Sequence, residues 1–468
     1  MSLGDKRHPG GQFTFVDLFA GVGGFHHALQ ELGGNCVLAV EKDELCQKVY
    51  RAAFPSTPLV SDIRTLTKTR DGAEKSNEQI RRKVPRHDVL CAGFPCQPFS
   101  KSGMQLGVKD RVRGTLFFDI VAIVEARKPR FIILENVRNI AGPRHVETWQ
   151  VIISSLRDLG YRVRDEPLIL SPHNLDRSQG GAPQIRERVF IMAEMQDTSN
   201  VSEPTWMQNL VTTRSMLNRP EWSIHDYIND DADISNLEEY QLRPDELGWI
   251  DAWQSFVKMI PSDWLPGHPI WVEGFRARPK VPQDAPDWKI DFLKKNSKFY
   301  REHKVPIDKW LEKKWGALGQ RVCDFPLSRQ KFEWQARSVQ PTRSQRDLRQ
   351  LVIQFRPSGI RVKAPSYLPA LVAISQTSIV GSRMRRITPR EAASLQGIPV
   401  EPFIQASVPD SVIYKQLGNA VNVGVVKYLT ENLLTDFLRS DLSAGDVENV
   451  FGLFEEKSGV GSQRLSAM

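Results

Sequence analysis

Cysteine is scarce in this chain and shows no pattern. The five cysteines (Cys36, Cys46, Cys91, Cys96 and Cys323) are odd in number and widely spaced. No Cys-x-x-Cys pair and no Cys/His cluster at zinc spacing occurs, so neither a disulfide framework nor a structural metal site is expected. That pattern fits a reduced, cytoplasmic protein. No apolar run approaches the ~18 residues that span a bilayer, and no membrane association is expected. Residues 1–11 lack the apolar stretch of a secretory signal and read as a flexible leader. Internal repeats and low-complexity segments are missing too. So are two nucleotide-binding signatures. After Gly21 and Gly23 the third position of G-x-G-x-x-G is His26, which disfavours a nicotinamide dinucleotide, and no Gly-Lys-Ser/Thr of a P-loop follows.

With 468 residues the chain exceeds what one hydrophobic core usually organises, so two domains are expected. A formal charge of +8 and a pI near 9.2 favour a polyanionic partner. Phe13–Val16 reads as a buried strand, followed by a glycine turn and a helix from Gly24 to Leu32. Cys36–Val40 is the next strand and Asp43–Phe54 the next helix. Val89–Ala92, Phe131–Leu134 and Val189–Met192 are further strands, with helical patterns at Leu116–Ala126 and Val146–Leu159. Strands alternating with helices predict an α/β fold built on a doubly wound, mostly parallel sheet. After about residue 195 the alternation fades. Ten of the eleven tryptophans lie between Trp206 and Trp334, which marks a second module with its own core. The helical pattern returns at Pro389–Gln396 and Val412–Leu434.

The expected division is therefore a leader at 1–11, a catalytic and cofactor-binding domain at 12–195, a second, smaller domain at 196–385, a return segment at 386–442 completing the first domain, and a disordered tail at 443–468. Between Arg337 and Lys363, seven basic residues stand against one acid, Asp347, which makes this stretch the candidate phosphate-contacting surface.

The ends of the strands hold the chemistry. Gly93-Phe94-Pro95-Cys96-Gln97-Pro98-Phe99-Ser100 places a thiol just past a strand, where a nucleophile is accessible. A lone cysteine is more often a small buried hydrophobe, so its company decides. Gly21, Gly23 and Gly24 let a ligand approach the backbone closely. Glu41, ending the second strand, is placed to accept two ribose hydroxyls. Asp62 ends a third short strand and is placed to accept from an adenine amine, with Ile63 against the ring. Phe19 offers an aromatic face to the adenine or to a sulfonium. Together these residues describe an adenosine site without a phosphate clamp, which suits S-adenosyl-L-methionine.

Assembled in order, the segments resemble the DNA (cytosine-5) methyltransferase family in its compact prokaryotic restriction-modification form. The matching segments are Asp17–Gly24, Glu41, Asp62-Ile63, Gly93–Ser100, Arg113–Asp119, Glu135-Asn136-Val137, Gln184-x-Arg186-x-Arg188, Arg386-x-Thr388-Pro389-Arg390-Glu391 and Gln416–Val421. No catalytic position departs from the pattern. The resemblance implies a Rossmann-like S-adenosylmethionine-dependent methyltransferase fold, with the tryptophan-rich middle as target recognition domain. It implies Cys96 as the nucleophile that adds to cytosine C6, and Glu135, Arg186 and Arg188 as the groups that hold and activate the base. It implies cofactor contacts at Phe19, Glu41, Asp62, Ile63, Pro95, Leu116 and Asn419, and a closing loop at Gln97–Val112.

Double-stranded DNA is the implied partner, with the target base flipped out of the stack. A monomer and a functionally paired restriction endonuclease are expected. Two alternatives stay open. One is an RNA cytosine-C5 methyltransferase of the same fold, whose tRNA-acting branch carries Cys-Phe-Thr; here Cys323 is followed by Asp324-Phe325. The other is a catalytically silent DNA-binding homologue, which would have lost Cys96, Glu135, Glu41 or Asp62; all four are present. His26 and His27 are read as helix residues without a catalytic part. Arg390 and Glu391 are expected to form an ion pair tying the two domains together.

Overall fold

The structure, a computed structural model, describes residues 12–95, 116–196, 206–207, 221–261, 265–371 and 377–440. The leader, Cys96, the Gln97–Val112 segment and the tail from 443 lie outside the described residues. The chain divides into two compact units, one formed by residues up to Glu221 and from Ala393 onward, the other by Trp222–Ala392.

The first unit is built on an eight-stranded sheet. β1 (Phe13–Leu18), β2 (Gly34–Val40), β3 (Leu59–Val60), β4 (Val89–Gly93) and β5 (Phe131–Val137) run parallel in the order β3-β2-β1-β4-β5. Beyond β5 the sheet turns antiparallel. β9 (Arg188–Met195) pairs with β5 and also with β6 (Tyr161–Val163) and β7 (Leu168–Leu170). β8 (Gln184–Ile185) lies outside this sheet. The mostly parallel sheet expected from the alternation is present, and Val189–Met192 is its antiparallel arm.

β1 is buried along its whole length, because both faces of a parallel sheet are covered. One face sends Val16, Leu18, Leu38, Val40, Leu90, Ala92, Ile132 and Leu134 into a core shared with helices Leu116–Arg127 and Val146–Asp158. On the other face, Phe15, Asp17, Cys36 and Cys91 are buried, and helix Gly24–Glu31 packs on β2 and on helix Val423–Ser440. Helix Glu44–Ala53 starts where Asp43 caps it, its carboxylate accepting from the Leu45 and Cys46 amides at 2.9 and 3.0 Å.

One pattern breaks differently from its periodicity. Val412–Leu434 reads as continuous, yet the structure has two helices, Asp410–Asn419 and Val423–Ser440. The Asn422 carboxamide accepts from the Val425 amide at 3.0 Å and caps a new helix there. The interruption frees the Gly418 and Ala420 carbonyls for another partner, described below.

The second unit holds a six-stranded sheet in the order β10-β11-β13-β12-β15-β16, formed by β10 (Ile270–Trp271), β11 (Lys331–Gln335), β12 (Val352–Arg356), β13 (Gly359–Lys363), β15 (Ile379–Val380) and β16 (Arg385–Arg386). β14 (Leu368–Pro369) is not part of it. Helices Pro244–Met259, Asp287–Glu302 and Lys304–Glu312 complete its core. Trp249, Trp253, Trp310, Trp315 and Trp334 are buried there, so the tryptophan-rich middle is a packing signal. Trp253 stacks on Phe332 with centroids 4.7 Å apart.

A buried ion pair ends this unit. Arg385 and Glu391 are each 1% exposed, and the guanidinium donates to both carboxylate oxygens at 2.8 and 3.0 Å. Glu391 also accepts from the Thr388 and Asn229 amides, and Arg385 reaches Asp231 at 2.8 Å. The expected Arg390–Glu391 tie between domains is thus corrected: the partner of Glu391 is Arg385, inside the second unit. Buried charges remain ionised only when their partners are complete. Glu391→Gln leaves the buried Arg385 with Asp231 as its remaining carboxylate among the described residues and lowers stability by up to about 3–5 kcal/mol, whereas Arg385→Met with Glu391→Leu is milder. Urea unfolding of both variants checks the ranking; a milder loss in the single variant would contradict it.

Candidate active site

The site grows from the carboxyl ends of the parallel strands, where open α/β sheets leave a crevice. β1 runs into a turn whose backbone is left-handed at Phe19 (φ 59°), Gly21 (φ 57°) and Gly23 (φ 89°). Glycine makes this affordable at Gly21 and Gly23; Phe19 bears the cost with a side chain. A Cβ at Gly21 would meet open space, whereas one at Gly23 would stand 2.4 Å from the Phe54 ring. Gly21 is therefore the point at which a ligand can reach the backbone. The turn is held from β2: Glu41 Oε2 accepts from the Gly21 amide and Oε1 from the Asp43 amide, each at 2.7 Å.

Asp62 follows β3. Its Oδ1 accepts from the Arg64 amide at 2.9 Å and its Oδ2 faces Lys42 at 3.6 Å. Both acids thus shape local backbone while staying at strand ends. Ile63 is buried beside Asp62, and Leu116 is half-buried at the start of its helix. The Thr67 hydroxyl donates to the buried Asp119 at 2.5 Å, tying the Ile63 segment to the Leu116 helix. Asp119 closes the matching Arg113–Asp119 segment, but nothing in the sequence pointed to its partner Thr67, 52 residues away.

The opposite edge is formed by β4, β5 and β9. Register pairs Gly93 with Glu135 and Val137 with Arg188. Arg188 Nε lies 3.0 Å from Glu135 Oε1, while Glu135 Oε2 lies over Gly93, 3.6 Å from where a Cβ would stand. One carboxylate oxygen is therefore clamped and the other is turned toward the segment leading to Pro95. Burial raises the proton affinity of Glu135, and the Arg188 and Arg186 guanidiniums oppose that rise. Asn136, next in the chain, donates its amide to the Phe94 carbonyl at 2.8 Å and so fixes the strand exit before Cys96.

Arg186 is 1% exposed. Its Nη2 donates to the Gly418 carbonyl at 2.8 Å and the Ala420 carbonyl at 2.5 Å, the two carbonyls that flank Asn419. Its own amide donates to the Ser171 hydroxyl at 2.8 Å. Burial, with Arg188 nearby, lowers its pKa to about 9, against the pull of Glu135. Arg186 and Asn419 were assigned to base and cofactor separately; the structure joins them. Asn419 and Pro95 are exposed.

Polar atoms around Glu41 remain unsatisfied. Both carboxylate oxygens of Asp17 and both amide atoms of Gln416 are buried without a well-formed hydrogen bond among the described residues. Buried orphaned groups of this kind fit a site that a polar ligand completes. Other ionisable groups nearby are silenced. Burial pushes Cys36 up to about 12 and Cys46 and Cys91 upward as well, so these three remain thiols. It lowers His26 to about 3, and the neutral ring stacks on Phe54 and meets the Tyr50 hydroxyl at 2.6 Å. No cluster of three or more His, Cys, Asp or Glu gathers among the described residues. No helix among them is long and apolar enough to cross a membrane.

The basic stretch Arg337–Lys363 divides in two. Arg337, Arg343 and Arg346 donate to backbone carbonyls of Leu265, Lys258 and Val257, and Arg349 pairs with Asp251. These four bind their own unit. The other three share a sheet face. Register places Phe332, Trp334, Ile353, Phe355, Ile360 and Val362 on the core side and Glu333, Gln335, Gln354, Arg356, Arg361 and Lys363 on the other. Arg361 pairs with Glu333 at 2.8 Å. Burial and crowding by neighbouring cations make Arg356 and Lys363 easier to deprotonate than usual.

A family model described as C-5 cytosine-specific DNA methylase matches residues 13–435. The Type II methyltransferase M.AluI of Cellulosimicrobium cellulans is 37% identical, over 89% of this chain and 91% of its own length. M.HpaII of Haemophilus parainfluenzae is 41% identical over 43% of this chain and 52% of its own. M.HhaI of Haemophilus parahaemolyticus is 28% identical over 92% and 97%.

The buried Asp17 makes a pH prediction. Burial, reinforced by Glu41, raises its proton affinity above that of an unfolded aspartate, near 3.9. Above about pH 4 the unfolded chain gives up this proton and the folded chain keeps it, so the Asp17 contribution to stability falls as pH rises. Asp17→Asn flattens the decline, by up to about 1.4 kcal/mol per pH unit. Urea unfolding at a series of pH values measures both slopes; identical slopes would refute the assignment.

Proposed function

Because the chain belongs to the C-5 cytosine-specific DNA methylase family, we propose that it methylates C5 of a cytosine within a specific sequence of double-stranded DNA, with S-adenosyl-L-methionine as donor, as the modification half of a restriction-modification system. The observation that supports this most is the Glu135–Arg188 pair at the head of β5, beside the strand that leads into Pro95-Cys96. Glu41, Asp62, Ile63, Phe19, Leu116, Asn419 and the open backbone at Gly21 would hold the donor, which supplies an electrophilic methyl on a sulfonium.

Cytosine C5 is a weak nucleophile in an aromatic ring. In the proposed sequence the Cys96 thiolate adds to C6, and the electron pair displaced toward N3 is met there by a proton from Glu135. Its raised proton affinity suits that task, and Arg188 fixes the carboxyl orientation. The resulting enamine carbon is the nucleophile for the methyl. Loss of the C5 proton to a base, expulsion of the Cys96 thiolate and return of the N3 proton to Glu135 then restore the neutral aromatic ring. A free thiol titrates near ~8.5, and the Arg188 and Arg186 charges favour the thiolate. Arg186 takes the positioning part, through Gly418 and Ala420. The second unit is the proposed recognition domain, with the Gln354, Arg356, Arg361 and Lys363 face bearing the residue types that read base edges. The protein acts as a cytoplasmic monomer alongside a nuclease of the same specificity.

The test is transfer of labelled methyl from S-adenosylmethionine to duplex DNA, duplex RNA and tRNA, with label expected only in DNA. Cys96→Ala abolishes transfer and keeps DNA binding; Glu135→Gln lowers kcat by about 10²–10⁴. DNA bearing 5-fluorocytosine at the target site should trap a covalent complex, because fluorine does not leave as a proton. A wild-type enzyme that turns over yet traps nothing would sink the Cys96 step.

A further inference from the structure

Residues 276–314 contain twelve Lys and Arg against six Asp and Glu, an excess of six in a chain whose total is +8. Most of the net charge is therefore concentrated in one segment, which includes helices Asp287–Glu302 and Lys304–Glu312 and the strap before them.

The strap is tied down on one helix. The Ser297 hydroxyl donates to the Arg276 carbonyl at 2.7 Å, and the Arg301 guanidinium donates to the Ala277 carbonyl at 2.9 Å. Arg276 and Arg278, both exposed, are thereby held beside the C-terminal half of the helix. That helix buries Leu293, Asn296, Ser297 and Tyr300 and turns Lys294, Lys298 and Arg301 to solvent. The i, i+4, i+7 spacing puts these three on one stripe, spanning roughly 10 Å at 1.5 Å per residue.

Acidic neutralisation of the stripe is slight. Lys298 lies 3.9 Å from Glu302, and Asp291 is engaged by Lys295 at 2.6 Å. Arg276, Arg278 and Lys294 form no ion pair among the described residues. Arg276, Arg278 and Lys294 are exposed and unopposed by any acid among the described residues, whereas in the Arg337–Lys363 stretch Arg346 is buried, Arg349 pairs with Asp251 and Arg361 pairs with Glu333.

We propose that Arg276, Arg278, Lys294, Lys298 and Arg301 form a second DNA contact, which grips the phosphate backbone without reading sequence. Successive phosphates of one strand advance ~3.4 Å along the duplex axis, so a stripe of this length spans about three of them. Backbone contacts of this kind supply affinity and register but no base choice. The inference rests on the reading of the chain as a DNA methyltransferase.

The test measures the salt dependence of binding for Arg276→Gln/Arg278→Gln/Lys294→Gln in the full-length protein. Two probes are used: a duplex containing the methylated site, and a duplex of alternating dA and dT, which lacks cytosine. Each lost phosphate contact reduces the slope of log K against log salt by about 0.9, so the triple variant should lose about 2–3 on both duplexes. The ratio of affinities for the two duplexes should stay constant. Restoring charge with Lys at 276 and 278 should recover most of the slope. An unchanged slope in a variant with wild-type melting temperature overturns the proposal while leaving the methyltransferase reading intact. An equal loss of binding to polyglutamate overturns it in favour of an acidic protein partner. A wild-type protein that binds both duplexes with the predicted slope but transfers no methyl overturns the enzymatic reading and leaves the contact standing.

Discussion

A guanidinium sealed from solvent holds the candidate catalytic edge of the first unit together. Arg186 sits between β8 and β9 in the chain and reaches the break between two C-terminal helices, more than two hundred residues away. Its hydrogen bonds to Gly418 and Ala420 hold the loop that presents Asn419. Its charge also bears on Glu135, whose proton affinity depends on how far burial outweighs two arginines. One buried cation therefore couples the proposed cofactor side of the crevice to the proposed base side. The low dielectric that lowers the pKa of Arg186 to about 9 strengthens those couplings.

A similar economy governs the turn after β1. Glu41 uses one oxygen on Gly21 and the other on Asp43, so the residue expected to meet a ribose also builds the loop that leaves room for it. Asn136 does the like at the exit of β4, and Asp119 with Thr67 does so between Ile63 and Leu116. The candidate reactive groups are few, and each lies beside a neighbour whose visible work is to hold the local structure in place. Such preorganisation is what catalysis by positioning demands.

The strands and helices of the first unit were legible because the period of apolar residues switches cleanly between two and 3.6. Gly21, Gly23, Glu41, Asp62 and Glu135 were legible because they fall at strand ends. What escaped was anything set by long-range burial. Nothing local distinguishes Asp17 from a surface aspartate, yet it is fully enclosed. Val412–Leu434 kept its helical period through Ala420, and only the Asn422 cap and the pull of Arg186 on the carbonyls account for the break. Glu391 stood beside Arg390 in sequence, but a helix turns adjacent residues to different sides, and the β16 arginine took the carboxylate instead.

Arginine is where sequence-level charge arguments fail most. Arg186, Arg346 and Arg385 are among the largest fully buried side chains of the protein. Each donates to carbonyls or carboxylates within its own unit and is sealed from solvent, so none can touch an external phosphate directly. Counting basic residues along the chain treats them as equal to Arg276 or Lys294. Once the cations that are buried or paired with an acid are set aside, Arg343 stays exposed in the Arg337–Lys363 stretch, while Arg276, Arg278 and Lys294 are exposed in the segment around helix Asp287–Glu302. A polyanion responds to that exposed distribution, because solvent-facing charge is what its counterions exchange with. The pI of the chain therefore reports two populations of cations, one that builds the fold and one that faces outward.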